Sequence, residues 1–554
     1  MNILEKFREY LPTLADLPGH SIQPSTTMPV ITAVVERTGV SRIIYTHTFN
    51  GEKDAGEIGP IRSYYLDYAA LRMRSWQAML ENEIAQIVIY KYATWVIGTG
   101  LKFNAEPSRL VLESEGINGM DFEKWTKLVE ARFEIYSGNG RMCDFARMWK
   151  RSKISKRAFI NSLIGGDCLV VLRYENGYPT IQLIDGAHIQ SPAYGNELYG
   201  FAKENGNTIK HGIEIAPNGQ HVAYYVLRDG AYNQFDRIPA YGPKSGIKMA
   251  FMVYGLEYRL DNVRGLPLLS VILEGAAKLG RYKEATLGSA EERQKIVYTV
   301  KHKLGSTGEN PAAQQIVRAI NINAEDPAEL PIDAVGNYLA NKIQATTNKQ
   351  TWNLPINSEL EAVDSKNELY FKDFYEINFD ILCATIGIPP NVALSKYNDS
   401  FSASRAALKD WEHKLLVTRD DHSYQFEQPI YEFFLDIEIL KGKIQAPGYL
   451  VARLERNEMV LGAYRKCRWI GANVPHIDPL KEVMAERAKL GATGASLPLT
   501  TLQAATEALG NGEADSNLDQ YAREKDKAEE LGIEILELNE PEPEPEPPTK
   551  DGDK

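Results

Sequence analysis

Arg264-Gly-Leu-Pro-Leu-Leu-Ser-Val-Ile-Leu-Glu-Gly-Ala-Ala-Lys-Leu-Gly-Arg-Tyr-Lys-Glu-Ala-Thr-Leu-Gly-Ser-Ala-Glu-Glu-Arg-Gln-Lys295 is the stretch that sets the frame of the chain. Pro267 suits a first helical turn, where its missing N–H costs nothing. From there the pattern is helical without interruption to Lys295, 29 residues, or about 43 Å at 1.5 Å per residue. The helix is rich in small residues: Gly275, Ala276, Ala277, Gly280, Ala285, Gly288, Ser289 and Ala290. A glycine inside a helix costs about 1 kcal/mol relative to alanine, so several of them imply that another backbone comes close. Gly275, Ala276, Gly280 and Gly288 are the candidate packing residues, either inside one buried helix or against copies of the same helix.

Outward from this helix the chain has a symmetrical plan. Residues 296–365 break into short strand-like pieces and Pro/Gly loops, a small separate module. Leu369 to Ile386 is helical again, with Tyr370, Phe374, Ile377 and Ile381 on one face. Gly387 and Pro389-Pro390 stop it. A polar loop, Asn391 to Ser400, leads into a helix from Ser402 to about Phe434. One long helix therefore leads out to an appendage and a second leads back. Further helices are expected at Glu455–Arg468, Pro479–Leu490 and Thr500–Leu509.

On the N-terminal side, residues 1–60 are Pro/Gly-punctuated and read as an arm. Arg62 to Ile97 reads as one long helix stopped by Gly98. Phe122 to Tyr136 is a second helix, and the basic stretch after it runs into a third that ends near Ile164. The period then changes to two. Cys168–Tyr174, a turn at Asn176-Gly177, Thr180–Ile184, Val222–Leu227 and Met249–Tyr254 read as strands. The expected fold class is α+β, mostly helical.

Composition and charge exclude several classes. The 554 residues are 44% hydrophobic and 25% charged, enough apolar material for large cores. Lys and Arg number 62 against 74 Asp and Glu, a net charge of −12. Between Glu513 and Lys554 lie 15 acidic and 5 basic residues, so the preceding 512 residues carry only −2. A protein that wraps nucleic acid tightly carries the opposite sign. The run Glu540-Pro-Glu-Pro-Glu-Pro-Glu-Pro-Pro548 cannot form a helix and repels itself; it reads as a solubilising tail (536–554) or a peptide that a partner captures. Arg141, Arg147, Lys150, Arg151, Lys153, Lys156 and Arg157 form one basic cluster, read as a solvated face or subunit contact, with phosphate contact as the other reading. Four cysteines in so long a chain make no disulfide framework. No apolar window of signal-peptide or membrane-spanning kind is present, so a cytoplasmic, reducing setting is expected.

The chemistry of an enzyme is not visible. GxxxxGK[ST], a strand-linked GxGxxG, HExxH and GxSxG are all missing. The nine histidines never fall at metal-ligand spacing. Asp420-Asp421 before His422 is the nearest thing to an acidic constellation. On a helix, adjacent carboxylates diverge by about 100°, so a solvated helix face is the simpler reading. No cofactor and no metal site are expected. A metal-dependent nucleic-acid-processing enzyme is the alternative to a structural role.

Four segments together resemble the lambda family of tailed-bacteriophage portal proteins. They are Trp95-Val-Ile-Gly-Thr-Gly-Leu101; Arg264-Gly-Leu-Pro267 opening a long helix; Ile386-Gly-Ile-Pro-Pro390 followed by Tyr397-Asn-Asp-Ser-Phe-Ser-Ala-Ser-Arg-Ala-Ala-Leu408; and Arg468-Trp-Ile-Gly471 with Asp478-Pro-Leu-Lys-Glu482. The resemblance implies a portal-like multidomain subunit with long stem helices and a small α/β clip. Residues 61–260 would be the wing, 261–295 the first stem helix, 296–365 the clip, 366–388 the second stem helix and 389–401 the tunnel loop. Residues 402–480 would return to the wing and 481–535 would form crown-like helices. It further implies a homo-oligomeric ring, usually a dodecamer, at one capsid vertex, passing double-stranded DNA. The partners would be the terminase large subunit, major capsid and scaffolding proteins and head-completion or connector proteins, with no membrane. The setting would be the virion, and the host cytoplasm during assembly. Lys396, Tyr397 and Asn398 would face the DNA. Lys396 is the only basic residue between Pro390 and Ser404; it is either a solvated loop lysine or, repeated by symmetry, one ring of positive charge.

Overall fold

In the computed structural model the described residues are 48–49, 52–53, 67–175, 177–193, 196–228, 234–257, 262–300, 342–344, 350–353, 371–396, 401–472, 479–491, 498–510, 512 and 514–531. Nearly all of the 1–60 arm, most of the 296–365 module, Tyr397, Asn398 and the Pro/Glu tail lie outside them. The chain divides into two compact units, Met1–Gly471 and Ala472–Lys554.

In the first unit a short antiparallel pairing of Thr48–Phe49 with Glu52–Lys53 precedes α1 (Tyr68–Glu81) and α2 (Glu83–Val96). The expected single helix is broken at Asn82, whose backbone is extended (φ −113°, ψ 120°). Its side chain accepts from the N–H groups of Ile84 and Ala85. An Asn that can cap competes with helix continuation, so it ends one helix and starts the next. Strand β1 (Lys102–Ala105), α3 (Arg109–Ser114), α4 (Phe122–Gly138) and α5 (Arg151–Gly165) follow.

Next come β2 (Asp167–Glu175) and β3 (Tyr178–Asp185), then α6 (Glu197–Glu204). Strands β4 (Thr208–Lys210), β5 (Ile213–Ile215), β6 (His221–Leu227), β7 (Phe235–Pro239) and β8 (Ala250–Tyr254) complete the β region. The antiparallel sheet β8-β2-β3 places Cys168 opposite Asp185 and Val253, and a second antiparallel sheet runs β4-β5-β6-β7. Strand β2 is buried on both faces. Val170 and Leu172 enter a large core with Phe133, Tyr431 and Phe434, while Leu169 and Val171 enter a second core with Ile213, Tyr224 and Val226. That is why its sequence is a continuous apolar run rather than an alternation.

The helix opened by Pro267 begins later than its sequence pattern. Leu268–Val271 is a 3₁₀ turn, Ile272 breaks the register, and α7 proper is Leu273–Lys295, 23 residues, about 35 Å long. It runs into β9 (Ile296–Val300), which pairs parallel with β11 (Gln350–Asn353); β10 (Lys342–Gln344) pairs antiparallel with β11. Then come α8 (Phe371–Ile386), α9 (Pro390–Leu394) and α10 (Phe401–His422). A five-residue π segment, Ser423–Glu427, joins α10 to α11 (Gln428–Leu440), so the helical run expected to end near Phe434 continues to Leu440. The helix expected at Glu455–Arg468 is instead α12 (Tyr449–Glu455), α13 (Glu458–Arg465) and strand β12 (Cys467–Ile470). Strand β12 pairs antiparallel with β1, Trp469 opposite Phe103, and both rings pack on Phe133. Tertiary pairing over 360 residues overrides the local helical pattern.

The second unit contains α14 (Pro479–Lys489), α15 (Leu502–Ala508) and α16 (Ala514–Glu530). Among the described residues no helix is long and apolar enough to cross a membrane.

Candidate functional site

Helices α7 and α8 pack side by side. A Cβ on Gly275 would lie 2.5 Å from Leu382 Cδ2, so only glycine lets α8 come this close without Leu382 moving. Ala276 and Leu279 are buried beside it. The Tyr282 ring stacks on Phe371 (5.3 Å, 21°) and tilts over Phe374 (4.8 Å). Of the four candidate packing residues, Gly275 thus lies in the helix pair, while Ala276 is buried and lines a groove toward α1 and α2. A Cβ at Gly280 or Gly288 would meet no atom within 4 Å.

The loop after α8 is anchored at both visible ends. Gly387 adopts φ +74°, a left-handed turn that stops α8. Pro390 opens α9, and Ser395 closes it at φ +54°. The Tyr92 hydroxyl donates to the Ile386 carbonyl, and Lys91 Nζ donates to Ser395 Oγ at 2.6 Å. Burial pushes the Tyr92 phenol up. On the return path Trp411, fully buried, meets the Tyr92 ring edge-on at 5.4 Å. Arg419 then donates to the carbonyls of Val96 (3.0 Å) and Trp95 (2.6 Å). Helix α2 therefore holds the start of the loop and the body of α10. Lys396 is exposed, its N–H bonded to Asn391 O at 2.9 Å, and its ammonium has no ion pair among the described residues. Tyr397 and Asn398 lie outside the described residues. Lys91 is a second cation at this loop; nothing in the sequence links it to a position 304 residues away.

Two buried ion networks hold the frame, and they account for the most distinctive sequence residues. Arg264 Nε and Nη2 grip Asp167 at 2.5 and 2.7 Å, and Nη2 also reaches Gly186 O at 2.7 Å. Its Nη1 reaches the carbonyls of Ile189 and His211, each at 3.0 Å. Arg72 joins from α1, donating to Asp167 Oδ1 at 2.5 Å. Burial pushes the Asp167 carboxyl up, but Arg264 and Arg72 outweigh it and hold it below its ordinary value. Gly265 lies against the Gly166 backbone, and a Cβ on Gly166 (φ +93°) would sit 2.5 Å from Gly265 O. Arg264-Gly265 is thus a clamp between the sheet and the start of the long helix.

The second network lies at the π segment. Arg151 pairs with Glu427 and donates to Leu101 O at 2.8 Å. Ser155 Oγ donates to Glu427 Oε1 at 2.8 Å and lies 2.9 Å from His422 Nε2. A hydroxyl whose one proton goes to a carboxylate must accept from the histidine, so this is not an activated nucleophile. Burial first, and Arg151 second, lower the His422 pKa to about 3. Ser155 and Glu427 are inaccessible to solvent.

The basic cluster divides accordingly. Arg151, expected on a solvated face or at a subunit contact, is instead buried, its guanidinium over the rings of Trp469 (5.0 Å) and Phe133 (5.3 Å). Arg141, Arg147, Lys150, Lys153 and Arg157 are exposed and Lys156 is half-buried. Asp420 and Asp421 are exposed. Burial first, then the neighbouring Asp420, raises the Asp421 carboxyl. Among the described residues no group of three or more His, Cys, Asp or Glu is placed to hold a metal ion.

A family model described as phage portal protein, lambda family, matches residues 54–417. No curated protein matches the chain. Among solved structures, the chain is similar to the neck of an empty GTA particle computed with C6 symmetry (12% identity, 81% of this chain and 94% of that one, TM-score 0.36). It is also similar to a chain of the virion of a native gene transfer agent particle (13%, 81% and 94%, 0.34), and to the neck of the native particle computed with C12 symmetry (12%, 76% and 98%, 0.30).

Proposed function

The chain belongs to the lambda family of phage portal proteins, and from that premise we propose how its parts serve a portal. The family match across residues 54–417 is the observation that carries the reading. Copies of the chain assemble into a closed ring, a dodecamer, at one capsid vertex of the virion, after assembly in the host cytoplasm. The ring is a conduit for double-stranded DNA during packaging and ejection and has no catalytic activity of its own. In this reading residues 61–260 are the wing, 261–295 and 366–388, which contain α7 and α8, the stem, and 296–365 the clip that meets the terminase large subunit. Residues 389–401 are the tunnel loop, 402–480 return to the wing, and 481–535 form the crown. Capsid, scaffolding and head-completion proteins are the other partners, and no membrane is involved.

The physics of a conduit supports this. A channel that passes DNA must not hold it, and many phosphate contacts per subunit, multiplied round a ring, would trap the duplex. The first 512 residues carry a net charge of only −2. Lys396, with Tyr397 and Asn398 beside it, offers one exposed cation per subunit toward the bore. Electron microscopy of the purified chain tests the reading: rings with a central hole are expected, and stable monomers at every concentration would overturn it. Mg²⁺-dependent DNA cleavage lost on mutating Asp420 or Asp421 would favour the enzyme alternative.

A further inference from the structure

Helix α8 has two apolar faces. Phe379, Leu382, Cys383 and Ile386 are buried, with Leu382 against α7 at Gly275. Ile377 and Ile381 point the other way and are 60% and 59% exposed, and Phe374, 50% exposed, flanks them with its ring also against Tyr282 of α7. Their spacing of three and four residues is that of a helix made to lie in a groove. Helix α7 has two faces as well. Gly275, Leu279 and Tyr282 face α8, while Leu273, Ala277, Gly280 and Glu284 face an open groove of about 480 Å³ against α1 and α2. On the far wall stand Ala78 and Ala85.

Two arginines at the groove offer partners for carboxylates beside the stripe. The groove is bordered by Arg74 and Arg281, with Glu81, Glu274 and Glu284. Glu274 pairs with Lys278, whereas Arg74 and Arg281 have no ion pair among the described residues. Along one flank of the stripe run Asp373, Glu376 and Asp380. Glu376 lies 4.0 Å from Lys372, and Asp373 and Asp380 have no ion pair among the described residues. Burial first, then Glu376, raises the Asp380 carboxyl, and a neighbouring arginine would relieve that repulsion.

We propose that the Phe374–Ile377–Ile381 stripe of one copy seats in the α1–α2/α7 groove of the next, with Asp373 and Asp380 meeting Arg74 and Arg281. This rests on the ring reading above and names the contact that closes it. Stripe and groove are different surfaces, so the contact is heterologous and propagates instead of closing as a two-fold dimer. Gly280 is then the small residue that admits the neighbour, as Gly275 admits the chain's own α8.

The test is disulfide trapping in the full chain. Gly280→Cys is combined in turn with Phe374→Cys, Ile377→Cys and Ile381→Cys, oxidised mildly and run without reductant. At least one double variant gives a ladder of covalent multimers. Gly280→Cys alone gives none beyond wild type, and mixed single variants stop at pairs. In parallel, Arg281→Glu and Asp380→Arg each lower the yield of rings by at least about tenfold, and the double swap restores it. Rings that form while no pair crosslinks and neither swap matters would overturn this contact and leave the ring reading standing. An absence of both rings and ladders would overturn both.

Discussion

Replacing Arg264 by alanine should loosen the central sheet without touching any exposed surface. Arg264 is 3% exposed and makes two bonds to Asp167 and three to the carbonyls of Gly186, Ile189 and His211. Its removal leaves Asp167, wholly buried, with Arg72 and the Gly265 N–H, and strips three carbonyls of a donor. Breaking such a buried pair costs about 3–5 kcal/mol, roughly a hundred- to several thousand-fold in an opening equilibrium. Hydrogen exchange followed by mass spectrometry on peptides covering β2 and β3 reads that change directly. Arg264→Lys keeps the charge but not the planar fork, so it should fall between wild type and alanine. The acid limit should move as well. Asp167 is held below its ordinary value of 3.8, so its contribution is present above that value and lost as pH falls through the lower native one. With Arg264 gone, much of that protection disappears and unfolding begins at higher pH. Unchanged exchange across β2 in Arg264→Ala would refute the clamp.

The buried His422, lowered to about 3, must be neutral to fold, so stability present above pH 6.5 is lost as pH falls; between pH 6.5 and 5.5 the loss should be about 1 kcal/mol. Denaturation at the two pH values checks it, and His422→Leu should flatten that slope. Gly275→Val should push Leu382 aside and cost about 1–3 kcal/mol, seen as a lower thermal midpoint; an unchanged midpoint would contradict the close α7–α8 packing. Lys396→Ala should leave ring assembly intact and impair DNA translocation or retention, measured in a packaging assay. Wild-type packaging would remove Lys396 from the bore.

The sequence carried the long helices and the main strands because their periods are strong over many residues. Its errors have local physical causes. Asn82 sits in a fully helical pattern, yet its side chain caps α2 and splits the helix. Cys467 and Arg468 read as the end of a helix, but β1, some 360 residues away, draws 467–470 into a sheet. Arg151 looked like one more solvated cation; its partner Glu427 lies 276 positions away. The site was legible in part. Gly275 and Gly280 carry the same local signal, and only tertiary placement separates the residue facing α8 from the one facing the open groove. Lys91 beside Ser395 left no trace in the sequence, since neither lies in a pattern that points to the other.

Native mass determination on the purified full chain, at rising concentration and with shell components added, bears most directly on the central claim. The account predicts a single closed assembly of a fixed number of copies, twelve, with no series of open intermediates at equilibrium. Only single and paired chains under every condition would contradict it.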